Sequence, residues 1–338
     1  MTQGVKWLKK GVTAIFRGFV ITVLLLFILE ACYRFQLWDF YKTEWSVLNK
    51  ADDGQKAKRI LVFGDSFGAQ TIGFANQLQN ELPEYAVYNA SIPGTCAIQH
   101  AFIAKRRIRE VNPDIVILQT YVGNDLLDVY PTINWSEYSL ARNFYYRLST
   151  WFRVLGYLNY KSGQLKHYLG KENLNISSPD VTEPFSTSKY SERTKMLIRG
   201  NADYINQSIA LSSDGSRKAM SKLNDNCQSI LKRIDNKVKV YILVLPHCIQ
   251  TNKQYKHQFE QMGAIFTKYE PPYEYLNELK KLKVTGVINA LPALKEAEEN
   301  RIQCYYSNDP HMSENGHKVV TEVILKDLFT TSNFQLEE

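Results

Sequence analysis

The stretch Arg59-Ile-Leu-Val-Phe-Gly-Asp-Ser66 gives the clearest indication of the fold. Its first five residues form a short apolar run without alternation, which is typical of a strand buried on both faces. Gly64 ends the run, and apolar residues follow at helical spacing from Gln70 to Leu82. A buried strand that leads directly into a helix favours an α/β domain with a parallel sheet.

The same alternation continues along the chain. Apolar runs predict four further strands, and amphipathic segments closed by turn residues predict three further helices. The predicted strands are residues 86–90, 114–121, 239–245 and 284–290, and the predicted helices are 97–111, 217–235 and 313–329. We therefore expect a flavodoxin-like three-layer α/β/α sandwich around a mostly parallel five-stranded sheet.

Residues 130–215 interrupt this pattern, because they contain no strong strand and are rich in aromatic side chains. We interpret them as a helical insertion between the third and fourth strands. The aromatic residues either pack the insertion onto the core or form a wall of a substrate site. They are Trp135, Tyr138, Phe144, Tyr145, Tyr146, Trp151, Phe152, Tyr157, Tyr160 and Tyr168.

The N-terminus predicts a membrane anchor. Lys6, Lys9 and Lys10 precede an apolar run over residues 12–29. Residues 11–33 are long enough for a helix to cross a bilayer core. The positive flank favours a cytoplasmic N-terminus, which would place the rest of the chain in the periplasm or outside the cell.

The sequence thus divides into a basic tail (1–10), the transmembrane signal anchor, a linker (34–56) and a catalytic-type domain (57–338). A cleaved signal peptide is an alternative, although no A-x-A site follows. Leu29-Glu-Ala-Cys32 also resembles a bacterial lipobox, with Glu30 where a small neutral residue is expected. A buried core helix over residues 19–29 is the remaining alternative.

Composition excludes several classes of protein. The chain has 338 residues, of which 44% are hydrophobic and 22% charged, as in ordinary globular proteins. Its net charge of +7 is spread along the chain. The basic clusters at 105–107 and 280–283 lie in amphipathic helical patterns, so we expect solvated faces and no nucleic-acid partner. Five widely spaced cysteines form no CxxC pair, which argues against a zinc site or a disulfide framework.

Three predicted strands are followed by residues that can take part in chemistry. Ser66 follows the first strand, Gly94 follows the second, and Asn124 follows the third. Sites in parallel sheets form beyond the carboxyl ends of the strands. A serine hydroxyl, an unshielded glycine N–H and an amide could therefore converge there. Taken singly, Ser66 could cap a helix, Gly94 could form a turn, and Asn124 could cap a strand end.

Asp309 and His311 lie two residues apart, just before the closing helix. Serine is a poor nucleophile at neutral pH, and an imidazole held by a carboxylate is the common way to activate it. Asp309 could alternatively cap the helix. We expect His317 on the surface of that helix, and Asp65 and Asp125 in structural hydrogen bonds. His100 and His247 are not expected to be ligands, although His247 follows the fourth strand and could line the cleft.

Four blocks of the sequence together resemble the SGNH hydrolases, also called the GDSL esterase/lipase superfamily. The blocks are Gly64-Asp-Ser-Phe67, Asn89-x4-Gly94, Gly123-Asn-Asp125 and Asp309-Pro-His311. They lie in the family's order, and the resemblance covers about residues 57–128 and 236–328. It includes neither the anchor nor the aromatic insertion.

The resemblance implies a role for each matched residue. Ser66 would be the nucleophile, His311 its general base and Asp309 the residue that orients the base. The oxyanion hole would consist of the Ser66 and Gly94 backbone N–H groups and the Asn124 side chain. No cofactor or metal is implied. Phe67 replaces the family's usual leucine, and only Pro310 separates Asp309 from His311, where many members have two residues.

The short Asp-x-His spacing is similar to that of envelope acyltransferase branches of the superfamily. Residues 64–68 also match the G-x-S-x-G elbow of α/β-hydrolases. That fold, however, places several strands before the serine. We expect a membrane-anchored serine esterase that acts on an acylated glycan or lipid outside the cytoplasm. The alternatives are an O-acyltransferase that acetylates an envelope polysaccharide and a glycan-binding protein that keeps the fold without catalysis.

Overall fold

The computed structural model describes residues 3–49, 58–130, 140–169, 183–266 and 273–330. All five candidate site residues lie within these ranges. Trp135 and Tyr138 of the predicted insertion lie outside the described residues.

The described elements alternate between strands and helices through most of the chain. The strands are β1 (Lys58–Phe63), β2 (Tyr85–Asn89), β3 (Ile115–Tyr121), β4 (Lys239–Leu245) and β5 (Gly286–Asn289). The helices up to β3 are α1 (Gln3–Arg34), α2 (Lys42–Leu48), α3 (Ser66–Ala69), α4 (Phe74–Glu81) and α5 (Ala97–Val111). Between β3 and β4 lie α6 (Asp125–Val129), α7 (Leu140–Trp151), α8 (Arg153–Leu169), α9 (Glu192–Gly200), α10 (Tyr204–Ala210) and α11 (Asp214–Leu231). The last helices are α12 (Lys253–Gln261), α13 (Tyr273–Lys280), α14 (Leu291–Glu299) and α15 (Glu314–Thr330).

The sheet has five strands in the order β2-β1-β3-β4-β5, and all four pairings are parallel. This is the flavodoxin-like order, so the predicted fold class is confirmed. The serine follows the first strand, unlike the elbow of the α/β-hydrolase alternative. The order changes direction next to β1, where ligands bind in open α/β sheets.

Helices cover both faces of the sheet. All seven residues of β3 are buried, which requires cover on each side of the central strand. On one side α11 packs against α5 and α13, and on the other α15 packs against α4 and α14. The apolar side chains of β3 and β4 contribute much of the interior of the core.

The helix predicted at residues 70–82 begins later than expected. One turn, α3, forms directly after β1 because the Asp65 side chain accepts a hydrogen bond from the Phe67 N–H at 2.9 Å. Gln70 is then extended, and α4 begins only after Gly73. The capping aspartate thus creates a separate turn that carries Ser66.

The chain forms two compact units. One contains 43–137 and 174–338, including the sheet, and the other contains 1–42 and 138–173. The predicted insertion is therefore divided between them. Its later part belongs with the sheet, since the Ser186 N–H donates to Asn308 Oδ1 at 2.7 Å. The predicted linker contains the helix α2.

The smaller unit has an interior of its own. Glu30 of α1 is buried, pairs with Arg34 at 2.5 Å and accepts a hydrogen bond from the Val154 N–H at 2.8 Å. The Tyr157 ring lies 5.1 Å from the Phe40 ring and 5.5 Å from the Tyr41 ring. At least this part of the aromatic insertion therefore packs rather than forming a substrate wall.

Helix α1 contains a 25-residue segment, Lys10–Arg34, whose length and mean hydropathy of 2.5 would suffice to cross a membrane. Its most apolar stretch has no buried residues. Helix α7 adds further exposed apolar side chains: Leu140, Phe144 and Trp151 are 78%, 66% and 76% exposed. Spaced four and seven residues apart, they share one face of α7.

Candidate active site

Ser66 is the first residue of α3, at the carboxyl end of β1. The neighbouring strand β3 holds this turn in place, because Gln119 Oε1 accepts a hydrogen bond from the Asp65 N–H at 2.9 Å. A Cβ at Gly68 would lie 2.2 Å from Ser91 Oγ, so only glycine permits this close approach. The serine is thus positioned by contacts between three neighbouring strand ends.

Gly94 and Asn124 contribute the donors that the sequence predicts. Gly94 has a φ of +68°, which favours glycine, and an added Cβ would meet nothing within 4 Å. Asn124 Nδ2 donates to Asp128 Oδ2 at 2.9 Å, one turn further along. One amide hydrogen is therefore held by Asp128, and the amide retains a second one for a ligand. Within the described ranges, neither the Ser66 N–H nor the Gly94 N–H donates to a protein acceptor.

Ser66, His311 and Asp309 form a continuous chain of hydrogen bonds. Ser66 Oγ lies 2.9 Å from His311 Nε2, and His311 Nδ1 lies 2.5 Å from Asp309 Oδ1. The same Asp309 oxygen accepts a hydrogen bond from the His311 backbone N–H at 2.8 Å. Because one oxygen serves both groups, the short Asp-x-His spacing still brings the carboxylate to the imidazole.

The two titrating groups shift each other in opposite directions. Burial disfavours the imidazolium, but the hydrogen bond and charge of Asp309 outweigh it and raise the pKa of His311 above its ordinary value. Burial also acts against the Asp309 carboxylate, yet His311 lowers the pKa of Asp309 below its ordinary value. With the Nδ1 proton held by Asp309, Nε2 is left to accept the Ser66 proton.

A cavity of about 240 Å³ opens at these residues. Ser66, Gly94, Asn124, Asp309 and His311 all line it. The structure therefore brings together every candidate residue of the sequence in one cavity at the carboxyl ends of the strands.

Two buried carboxyl groups, Asp65 and Asp125, and the half-buried Asp128 follow β1 and β3 next to the residues that line the cavity. Asp65 and Asp125 accept hydrogen bonds from the Phe67 and Tyr121 N–H groups, both at 2.9 Å, in the structural roles that the sequence suggested. Burial raises the pKa of Asp65 and of Asp128 to about 6. Burial, followed by the charge of Asp65, raises the pKa of Asp125 well above its ordinary value.

The expectation that His317 lies on a helix surface is wrong. Its side chain is buried, and Nε2 lies 3.0 Å from Gln70 Oε1. Burial, with the nearby charge of His311, lowers the pKa of His317 to about 3. His247 does line the cavity, and burial lowers its pKa to about 3, so it contributes a neutral wall.

One wall of the cavity consists of residues that were not predicted from the sequence. Ser191, Arg193, Thr194 and Leu197 line it from the start of α9, and Tyr204 lines it from α10. These residues belong to the segment interpreted as an insertion. Ser191 capping the Thr194 N–H is the local signal that marks the start of α9.

A second cavity, of about 320 Å³, lies at the amino end of β4. Its lining includes Leu231, Val240 and Thr285 but no serine, histidine or cysteine. The smaller cavity with the Ser66–His311 pair is therefore the candidate active site.

No protein-family model matches the chain, and no curated protein sequence matches it. Among solved structures, the chain is similar to the lipase Lip_vut3 from a goat rumen metagenome. The two share 12% identity and a TM-score of 0.39, over 80% of this chain and 97% of that one.

Two further solved structures are similar. A catalytic mutant of Axe2, an acetylxylan esterase from Geobacillus stearothermophilus, shares 10% identity and a TM-score of 0.42, over 81% of this chain and 95% of that one. A member of the lipolytic G-D-S-L family from Veillonella parvula DSM 2008 shares 12% identity and a TM-score of 0.40, over 81% of this chain and 99% of that one.

Proposed function

We propose that this protein is a membrane-anchored serine esterase that cleaves an O-acyl ester through Ser66, His311 and Asp309. The hydrogen-bonded chain from Ser66 Oγ through the imidazole to the Asp309 carboxylate is the observation that carries the proposal. The site is a nucleophile–base pair with an oriented base, which is the arrangement that serine acyl transfer needs.

In the proposed reaction Ser66 Oγ attacks the ester carbonyl, and its proton passes to His311 Nε2. The tetrahedral oxyanion accepts hydrogen bonds from the Ser66 and Gly94 N–H groups and the Asn124 amide. The C–O bond to the alcohol then breaks, and the alcohol leaves with the proton from His311. An acceptor hydroxyl, deprotonated by His311, then attacks the acyl-enzyme. The bond between the acyl carbon and Ser66 Oγ breaks, and His311 returns the proton to Ser66.

Replacing Asn124 by alanine should lower kcat about 100- to 1000-fold, because one oxyanion donor is lost while the nucleophile and base remain. Steady-state hydrolysis of a nitrophenyl ester measures the effect. Asn226→Ala, whose side chain donates to the Lys222 carbonyl on the surface of α11, is the matched control. A loss below threefold in Asn124→Ala would contradict the oxyanion role.

The dependence of kcat/KM on pH should follow the neutral fraction of His311. Since Asp309 raises the pKa of His311, the rate should increase with pH through an inflection above the ordinary histidine value of about 6.5. Asp65 and Asp128, with pKa values near 6, also titrate in this region.

The Asp128→Asn variant separates these contributions to the pH profile. The value of kcat/KM should change in this variant, but the inflection of its pH profile should stay at the wild-type pH. An inflection at or below pH 6 in the wild type, or one that disappears in Asp128→Asn, would show that His311 is not the titrating base.

This mechanism allows two acyl acceptors, since water and a sugar hydroxyl can both attack an acyl-enzyme. The short Asp309–His311 spacing resembles that of envelope acyltransferases, which keeps the O-acyltransferase as second candidate. Product analysis with an acyl donor, with and without added oligosaccharide, distinguishes them. Acylated oligosaccharide indicates transfer, whereas free acid at an unchanged rate indicates hydrolysis.

We also propose that α1 anchors the protein in the membrane, with its N-terminus in the cytoplasm and the sheet unit outside. The segment Lys10–Arg34, whose most apolar stretch has no buried residues, supports an anchor, and the lysines before it support this orientation. The exposed apolar face of α7 is consistent with a unit that lies against lipid. Recovery of the full-length protein from the soluble fraction without detergent would contradict the anchor.

A further inference from the structure

Arg193 places a positive charge in the wall of the cavity. It is the second residue of α9 and lines the cavity together with Ser191, Thr194 and Leu197 of the same helical turns. The guanidinium is exposed rather than packed into the core. Its charge is close enough to His311 to lower the pKa of the imidazole, although the effect of Asp309 is larger.

Helix stability does not explain an arginine at this position. A cation in the first turn of a helix is opposed by the helix dipole, whose positive end is there. Glu192, the neighbouring acid, is 80% exposed and pairs with Lys195 at 3.1 Å. Within the described part of the chain, Arg193 forms neither an ion pair nor a hydrogen bond.

Asp128, whose pKa the charge of Arg193 lowers, and Asp309, which lines the cavity, already have other partners. Asp309 accepts two hydrogen bonds from His311, and Asp128 accepts one from Asn124. Asp128 is also held near a pKa of about 6 by burial, although the charge of Arg193 and the Asn124 hydrogen bond favour its ionised form. Among the described residues, no acceptor takes any of the five N–H donors of Arg193, so they can serve a ligand in the cavity.

We propose that Arg193 binds an oxyanionic group, a carboxylate or a phosphate, on the alcohol side of the ester substrate. A guanidinium matches both groups because its planar fork can donate two parallel hydrogen bonds. The substrate class is then an acylated anionic glycan or lipid rather than a neutral one. This inference rests on the proposed esterase function, which names the same cavity.

Three acetate esters of matched size test the proposal on the full-length protein in detergent. One has 4-hydroxybenzoate as its alcohol, one has 4-hydroxyphenyl phosphate, and the third has the uncharged methyl 4-hydroxybenzoate. The ratio of kcat/KM between wild type and Arg193→Gln is compared across the esters, so that differences in leaving group cancel. Arg199→Gln, an exposed arginine of α9 outside the cavity lining, is the matched control.

We expect Arg193→Gln to lower kcat/KM roughly 10- to 100-fold for one or both anionic esters, the range expected for a hydrogen bond to a charged group. The neutral ester should change less than threefold, Arg199→Gln should change none, and Arg193→Lys should recover part of the loss. Selective loss with the carboxylate or the phosphate ester identifies which group is bound. Equal losses on neutral and anionic esters, or no loss on any, would overturn the proposal.

A binding measurement keeps this test separate from the esterase proposal. Calorimetry measures the affinity of 4-hydroxybenzoate and 4-hydroxyphenyl phosphate for Ser66→Ala and for Ser66→Ala combined with Arg193→Gln. Weaker anion binding in the double variant supports the site even if wild type hydrolyses none of the esters. Equal affinities, or no binding of either anion to Ser66→Ala, would overturn it, whatever the outcome for catalysis.

Discussion

Replacing Ser66 by alanine is expected to abolish ester hydrolysis, with kcat falling on the order of 10⁴-fold or more. The hydroxyl is the atom that would form the acyl-enzyme, and its Oγ lies 2.9 Å from the imidazole that would take its proton. Loss of a methylene-bound hydroxyl leaves the cavity and the oxyanion donors in place, so KM should change little. Steady-state kinetics with a nitrophenyl acetate substrate measures both parameters.

Ser188→Ala is the matched control, because this serine is exposed and its hydroxyl bonds with the Ser186 hydroxyl outside the cavity. It should retain wild-type activity. The unfolding temperature of Ser66→Ala should match that of wild type, since Ser66 is only partly buried. A folded Ser66→Ala protein that retains a tenth of the activity would rule out Ser66 as nucleophile.

Replacing His311 by glutamine should cause a loss of similar size, again on the order of 10⁴-fold or more in kcat. Without the imidazole, no described group within hydrogen-bond distance of Ser66 Oγ can take its proton. The losses in Ser66→Ala and His311→Gln should not add in the double variant, because the two residues act in the same step. This non-additivity distinguishes a working pair from two independent structural defects.

His257→Gln is the histidine control, since His257 is exposed on α12 and contacts Gln261. It should behave as wild type. If His311→Gln kept most of the activity, another base would have to serve Ser66. His317 and His247, two other histidines of the sheet unit, are buried with pKa values near 3.

Much of the sheet can be predicted from local sequence because β4 and the first half of β3 are apolar runs, as expected of strands that are buried on both faces. Part of the candidate site can also be predicted from sequence, since Ser66, Gly94 and Asn124 each lie within five residues of the end of a strand. The carboxyl ends of parallel strands meet at one edge of the sheet, so sequence order alone places these residues together.

The features that could not be predicted from local sequence depend on contacts between residues that are distant in the chain or on detailed geometry. His317 is buried, and its side chain pairs with Gln70, which lies 247 residues away in the chain. The periodicity of a helix cannot indicate such a pairing. The Asp309–His311 geometry depends on one oxygen accepting two hydrogen bonds, which spacing alone does not indicate. Arg193 reaches the cavity because the segment before it is held by Asn308, so its position follows from tertiary packing.

Covalent labelling by a fluorophosphonate tests the central claim most directly, because the reagent reacts with serines activated as nucleophiles. Intact-mass analysis of the full-length protein in detergent is compared with Ser66→Ala and Ser188→Ala. We predict a single adduct on wild type and Ser188→Ala and none on Ser66→Ala. A folded wild-type protein that stays unlabelled, or an adduct that persists in Ser66→Ala, would contradict the account of Ser66 as an activated nucleophile.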